Sequence, residues 1–239
     1  MKTETLKRPY SHLLKEIQYF KLFESFGFPR LHKQGISLEN EFVYMVTDLL
    51  GPTLEDLFRL CGRKFSLKTT LMLFYQMLDR VGHIHDTQFI HKDIKPENML
   101  MGMGDDSNTL FLIDYGISRS FIDPKTNKHI PFVTYRNLVG TCRYVSYNSH
   151  KGFELSRRDD LISIGYVAIN WVKGKLPWTH LPAKSSSRRY SKIGNAKHDC
   201  SNAELCSGLP KQFKQYMDYV MGLDFEAGAD FDYMRNLVL

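Results

Sequence analysis

Residues 91–98 read His-Lys-Asp-Ile-Lys-Pro-Glu-Asn, and Asp114-Tyr115-Gly116 begins sixteen positions after Asn98. No other stretch constrains the chain so tightly, because four residues of distinct chemistry stand at fixed spacing in one short segment. With residue frequencies of roughly 5% each, Asp-x-Lys-Pro-x-Asn arises by chance roughly once per 10⁵ positions. Asp93 offers an acceptor for a hydroxyl proton, and Lys95 a cation that can face a moving phosphate. Asn98 and Asp114 offer hard oxygen ligands of the kind Mg2+ takes, with phosphate oxygens completing the shell. Moving a phosphoryl group asks for little beyond these parts held in place.

At 239 residues the chain is long enough for one large domain or two lobes. Its 43% apolar and 24% charged residues are ordinary for a globular protein. No apolar run approaches the roughly 20 residues of a membrane span, and the opening Met-Lys-Thr-Glu-Thr-Leu-Lys-Arg lacks a signal peptide's apolar stretch. No membrane partner is therefore expected. Cys61, Cys142, Cys200 and Cys206 form no CxxC pair, so free thiols in a reducing compartment are expected. The net charge of +6 comes without a dense Lys/Arg run interleaved with aromatics. It reads as a preference for acidic or phosphorylated proteins, with no nucleic acid as partner.

Along the chain, residues 10–24 place Leu13, Ile17 and Phe20, with Phe23 or Glu24 beyond, at helical spacing. Apolar runs near 28–32 and 42–46 read as strands flanking the polar turn 37–40. Leu49-Leu50-Gly51-Pro52 breaks the pattern and suits a hinge, and Thr53 is a hydroxyl N-cap for a short helix. Residues 67–86 form a long helix, and short strands follow around 99–101 and 110–113. Residues 117–156 read as a long substrate-facing loop. Residues 160–172 are apolar on every side, which implies a buried helix. A basic polar stretch from Lys184 to Lys192 precedes a helical region at 210–223.

Several further motifs give the chain a family likeness across essentially its whole length. They are Leu-Leu-Gly-Pro-Thr-Leu-Glu-Asp-Leu-Phe (49–58), Lys-His-Ile-Pro (128–131), Gly-Thr-Cys-Arg-Tyr (140–144), Ser-Arg-Arg-Asp-Asp-Leu (156–161) and Leu-Pro-Trp (176–178). With the catalytic-loop motif, the chain resembles the casein kinase 1 family of serine/threonine kinases. Most protein kinases close the activation segment with Ala-Pro-Glu. Here Ser146-Tyr147-Asn148 stands where this family has Ser-Ile-Asn.

The resemblance implies an α+β, bilobal protein-kinase-like fold with ATP and Mg2+ as cofactors. Residues 1–47 would form a partial small N-lobe of sheet plus one helix, 48–52 the hinge, and 53–239 a mainly helical C-lobe. Asp93 and Lys95 would be catalytic, and Asn98 and Asp114 would hold the metal. Leu50 would offer backbone hydrogen bonds to adenine, with Thr47 at the gatekeeper position. Lys2 and Glu16 resemble the lysine–glutamate pair that orients the α- and β-phosphates. Arg143 and Arg189 map onto the family's anion pocket, and arginine's planar fork suits phosphate. His180 replaces a glycine beside that pocket, and Lys125, Lys128 and Arg136 add charge to the same face. Lys92 replaces the arginine that usually precedes the catalytic aspartate, which agrees with a kinase independent of activation-loop phosphorylation. A monomer in the cytoplasm, the nucleus or both is expected, acting on acidic or pre-phosphorylated Ser/Thr motifs.

No G-x-G-x-x-G precedes Lys2. That loop would supply two or three hydrogen bonds to phosphate oxygens, at about 1.5–3 kcal/mol each. The expectation is an N-terminally truncated kinase domain, and the alternative a catalytically impaired scaffold that binds phosphopeptides.

Overall fold

The computed structural model of the chain describes residues 1–6, 11–135, 137–182 and 185–239. Tyr10, Lys184 and Arg136, which enter the readings above, lie outside them.

The first lobe is a three-stranded antiparallel sheet with one helix against it. Strand β1 (Lys2–Thr5) leads to helix α1 (His12–Leu22), then β2 (Leu31–Ser37) and β3 (Phe42–Thr47). The strand order is β1-β3-β2, with Lys2 opposite Met45 and Gly35 opposite Tyr44. Helix α1 buries Leu13, Glu16, Ile17 and Phe20, the i, i+3, i+4, i+7 face of an amphipathic helix. Its start is tied to β1: Glu4 Oε2 accepts from Ser11 Oγ and Leu13 N, both at 2.7 Å. Ser11 in turn caps Leu14 N. The strand expected near 28–32 begins only at Leu31, because Phe28 is spent on the core as an aromatic plug, 5% exposed.

Residues 48–53 cross to the second lobe and are pinned to it. Gly51 N donates to Met101 O and Met101 N to Pro52 O. Helix α2 (Leu54–Leu60) is capped by Thr53, whose Oγ1 accepts from Asp56 N at 3.0 Å. Helix α3 (Leu67–Asp86) leads to β4 (Phe89–Ile90), and β5 (Met99–Met101) pairs with β6 (Leu110–Leu112). The segment expected as one long loop carries two small ladders. Strand β7 (Arg119–Ser120) pairs with β4, and β8 (Ile122–Asp123) with β9 (Lys128–His129). A short helix α4 (Tyr147–His150) follows them. Two-residue strands carry no alternation for a sequence to display.

Helix α5 (Arg157–Lys173) is buried from Asp159 to Trp171 without interruption and ends on Gly174 at φ 80°. It packs against α3 and against α8 (Lys211–Met221). Between them run α6 (Ser186–Asp199) and α7 (Asn202–Leu205), and α9 (Phe231–Val238) closes on α3. Helix α6 replaces the polar stretch expected there. Among its described side chains it buries only Ile193, Gly194 and Lys197, so its sequence shows no apolar stripe. Among the described residues no helix is long and apolar enough to cross a membrane. The four cysteines are free.

One core joins the two lobes. Tyr115, 1% exposed, meets Phe20 and Phe23 at 5.1 Å and Phe28 at 6.2 Å, and on the other side His91 at 5.9 Å. Its buried hydroxyl donates to Leu112 O. A second tie runs through Gly27, whose φ is +81° and whose Cβ, if present, would lie 1.7 Å from Arg80 Nε. That vacancy lets Arg80 reach Leu110 O at 3.0 Å, while Gly27 O accepts from Leu112 N. Tyr115→Ala should therefore lower unfolding free energy by about 3–5 kcal/mol in urea titration. Tyr115→Phe, which removes only the hydroxyl, should cost about 1–3 kcal/mol because Leu112 O loses its donor.

Candidate active site

Lys2 and Glu4 are two apart on β1, so both point to the same side of the sheet, toward α1. Lys2 Nζ lies 2.6 Å from Glu16 Oε2 and 3.2 Å from Asp114 Oδ1. Burial disfavours the ammonium, yet the hydrogen bonds and charges of Glu16 and Asp114 outweigh it and hold the Lys2 pKa above its ordinary value. Burial pushes the Glu16 carboxyl the other way, upward, with Lys2 opposing it. A 2.6 Å contact to an ammonium shared by two carboxylates keeps the pair ionised at neutral pH. These three residues line a cavity of about 420 Å³ between β1, α1 and the Asp114-Tyr115-Gly116 turn.

The second cluster forms around Asp93, which is 8% exposed. Its Oδ2 is 2.5 Å from Lys95 Nζ and 3.3 Å from Asn98 Nδ2, which also donates to Asp93 O at 2.9 Å. Its Oδ1 accepts from Thr141 N at 2.9 Å and Thr141 Oγ1 at 2.8 Å. Gly140 makes that approach possible: φ is +87°, and a Cβ there would sit 2.5 Å from Lys92 O. The two clusters are continuous, since Ile113 N donates to Asn98 O at 3.0 Å and His91 Nε2 lies 3.0 Å from Ile113 O.

Lys92 at φ 73° and Asp114 at φ 68° both occupy left-handed backbone that non-glycine residues rarely adopt. Such strain persists only where the surroundings over-determine it. Around Lys92 that surrounding is Asp160, at the start of α5 and 2% exposed. Its Oδ2 accepts from His91 N and its Oδ1 from Lys92 N, both at 2.8 Å, and His85 Nε2 lies 3.1 Å from Oδ2. Burial pushes the Asp160 carboxyl up, but the His85 hydrogen bond, the two histidine rings and the His91 N–H reverse this, leaving its pKa below the ordinary aspartate value. The hydrogen bonds that Asp160, His91 and Thr141 make around Asp93 were not foreseen. Asp160 enters the sequence reading only inside the Ser-Arg-Arg-Asp-Asp-Leu motif, with no role attached to it. Its neighbour Asp159 accepts from Ser146 Oγ at 2.5 Å and Asn148 Nδ2 at 2.9 Å, which gives Ser146-x-Asn148 its place.

A cavity of about 550 Å³ opens beside this cluster, and Arg143 and Arg189 both line it, with Arg59, Arg63, Glu55 and Glu97. Arg59 and Arg63 lie 3.1 and 3.5 Å from Glu55 Oε1, so that carboxylate is already compensated. Arg143 remains protonated: burial opposes its charge, but Tyr144, Glu55 and Glu97 hold its pKa above the usual arginine value. His180, Lys125 and Lys128 are exposed and do not line this cavity. Lys92 is largely withdrawn, and burial lowers its pKa, with Arg119 and Lys15 adding to the effect. Thr47 is half-buried at the end of β3, with Oγ1 3.3 Å from Asp48 O. Leu50 lines a separate cavity of about 580 Å³ bounded by Phe26, Arg30 and Phe111. Neither Thr47 nor Leu50 lines the Lys2 cavity.

Among the described residues no three His, Cys, Asp or Glu side chains gather as a metal cluster. Asn98 Nδ2 donates to Asp93 O and Oδ2, and the Asn98 main-chain oxygen accepts from Ile113 N, so the Asn98 and Asp114 segments run side by side. An amide and a carboxylate fit a metal whose remaining ligands come from phosphate and water. Asp160→Asn should destabilise the fold by about 3 kcal/mol, since one carbonyl oxygen cannot serve two N–H donors and a histidine. Because the folded Asp160 pKa is depressed, its contribution is present above the ordinary value of 3.8 and lost as pH falls through the lowered value. The gap between wild type and Asp160→Asn in denaturant midpoints should therefore narrow below about pH 4.

The protein kinase domain model matches residues 1–225. With 225 of 239 residues inside that match, the chain belongs to the protein kinase family.

Proposed function

We propose that the chain is a serine/threonine kinase of the casein kinase 1 type, transferring the ATP γ-phosphoryl group to hydroxyls of acidic or already phosphorylated proteins. The observation that carries this reading is Asp93, with one oxygen held twice by Thr141 and the other within 2.5 Å of Lys95 Nζ. A carboxylate so fixed is oriented to take a hydroxyl proton. Lys95, beside it, offsets the charge that develops on the transferring group. Lys2, steadied by Glu16 and Asp114, would orient the nucleotide phosphates. Asn98 and Asp114 would hold Mg2+, which when bound neutralises phosphate charge.

Substrate preference follows from charge. Arg143 and Arg189 line one cavity that opens next to Thr141, within a single side chain of Asp93. A phosphate or carboxylate seated there would lead the acceptor hydroxyl to Asp93, and the overall +6 charge favours the same partners.

Asp93→Asn should lower kcat on an acidic peptide by about 10²- to 10⁴-fold while Mg2+-ATP still raises the melting temperature. Unchanged activity would remove Asp93 from its role, and peptide binding without any turnover in wild type would make the chain a scaffold. Arg143→Ala and Arg189→Ala should each raise KM for a phosphorylated peptide about 10- to 100-fold, the loss of one charged hydrogen bond. The KM for an unphosphorylated neutral peptide should move little.

A further inference from the structure

Lys197 sits on α6 only 5% exposed, and no carboxylate among the described residues pairs with it. A buried cation without a counter-ion is costly, and apolar residues of similar length would fill the same space at no such cost. What Lys197 has instead is backbone. Its Nζ donates to Cys142 O at 2.8 Å and to Val145 O, lies 3.4 Å from His150 Nε2, and stands over the rings of Tyr166 and Trp178 at 5.2 and 5.3 Å.

Those carbonyls belong to one tight turn. Tyr144 N and Val145 N both donate to Thr141 O, which leaves the carbonyls of residues 142, 143 and 145 pointing away from the turn. Lys197 takes the first and the third, and Trp178 Nε1 donates to Arg143 O at 2.8 Å. On its other side the same turn presents Thr141 to Asp93 and Arg143 to the anion cavity. We propose that Lys197 is a positioning residue that fixes the Thr141–Val145 turn, and with it both the orientation of Asp93 and the placement of Arg143 toward an anionic substrate. The substrate half of this inference rests on the function proposed above, while the turn half stands on geometry alone.

The titratable residues facing Lys197 are His150 on α4, Cys142 on the turn, and Tyr166 on α5, whose ring lies under the ammonium. Burial pushes His150 down to about 4 and pushes the Cys142 and Tyr166 groups up, so none is charged at neutral pH. Burial pushes Lys197 itself down to about 7. The ammonium can donate to both carbonyls and the ring, and the neutral amine still has two hydrogens for the two carbonyls. The turn is thus held in both protonation states. Because the folded pKa lies below the ordinary value of 10.5, the unfolded chain binds the extra proton between them. Stability from this residue therefore rises with pH from about 7 to 10.

The test compares wild type with Lys197→Met by amide hydrogen exchange, by melting temperature against pH, and by kinetics with a phosphorylated peptide. Exchange of the 141–145 amides should quicken about 10-fold or more while the amides of α5 keep their wild-type rates. Peptide KM should rise about 10-fold with ATP KM within twofold of wild type. The melting temperature of wild type should gain on that of the variant between pH 7 and 9.5. Unchanged exchange at 141–145, or equal acceleration throughout α5, overturns the proposal. If Lys197→Met does not fold, Lys197→Gln keeps an N–H donor one bond short of the carbonyls. Local acceleration at 141–145 in that variant supports the role, and wild-type rates there overturn it. If wild type neither phosphorylates nor binds the peptide, the proposed function fails, while the exchange data still decide whether Lys197 holds the turn.

Discussion

The carboxylate of Asp160, buried at the first turn of α5, holds the strained backbone of residues 91 and 92 to the centre of the large lobe. Two backbone N–H groups, from His91 and Lys92, and the His85 ring converge on its two oxygens. An aspartate removed from water keeps its charge only if donors replace the solvent, and here they do. The consequence reaches outward. With residues 91 and 92 fixed, Lys92 can hold a left-handed backbone, and the chain turns so that Asp93 faces Thr141 on one side and Lys95 on the other. Helix α5 is itself buried along most of its length, so the anchor for the site is the most solvent-shielded helix of the chain.

The small lobe reaches the same segment by a separate route. Lys2 bridges Glu16 on α1 and Asp114, while Tyr115, the next residue, plugs the aromatic cluster formed by Phe20, Phe23 and Phe28. One ion-pair network and one apolar cluster thus meet at consecutive residues. A shift of α1 would disturb both, so the position of the helix and the placement of Asp114 are mechanically joined. The aromatic contacts contribute about 0.5–1.5 kcal/mol per pair beyond their burial. The partly exposed Lys2 pairs add little stability and chiefly fix orientation.

Legibility in the sequence followed the range of the interactions. Helices α1, α3 and α5 announce themselves because an apolar stripe or a continuous apolar run is a local pattern. Thr53 before Leu54 reads as a cap for the same reason, since a cap is satisfied within three residues. Helix α6 stays hidden because the buried positions among its described side chains are Ile193, Gly194 and Lys197, a glycine and a lysine standing where an apolar stripe would need large apolar residues. The paired strands within 117–156 are two residues long, below any period. Asp93, Lys95, Asn98 and Asp114 stand out because a short loop must carry several chemistries at fixed spacing. The anchoring by Asp160, which the sequence shows only as part of a family motif, and by Lys197 does not, because a buried charge takes its meaning from partners 68–69 and 52–55 positions away.

The sequence by itself determined the kind of chemistry and the main helices, because both are written in spacings of a few residues. It placed Lys2, Glu16, Arg143 and Arg189 only through likeness to a family. Tertiary structure decided that Lys2 reaches both Glu16 and Asp114, and that the two arginines share one cavity. It also decided that Thr47 and Leu50 stand apart from the Lys2 cavity. These are contacts between segments far apart in the chain. Such contacts depend on how α5 packs and where buried charges find their donors, and no local pattern of residues specifies that.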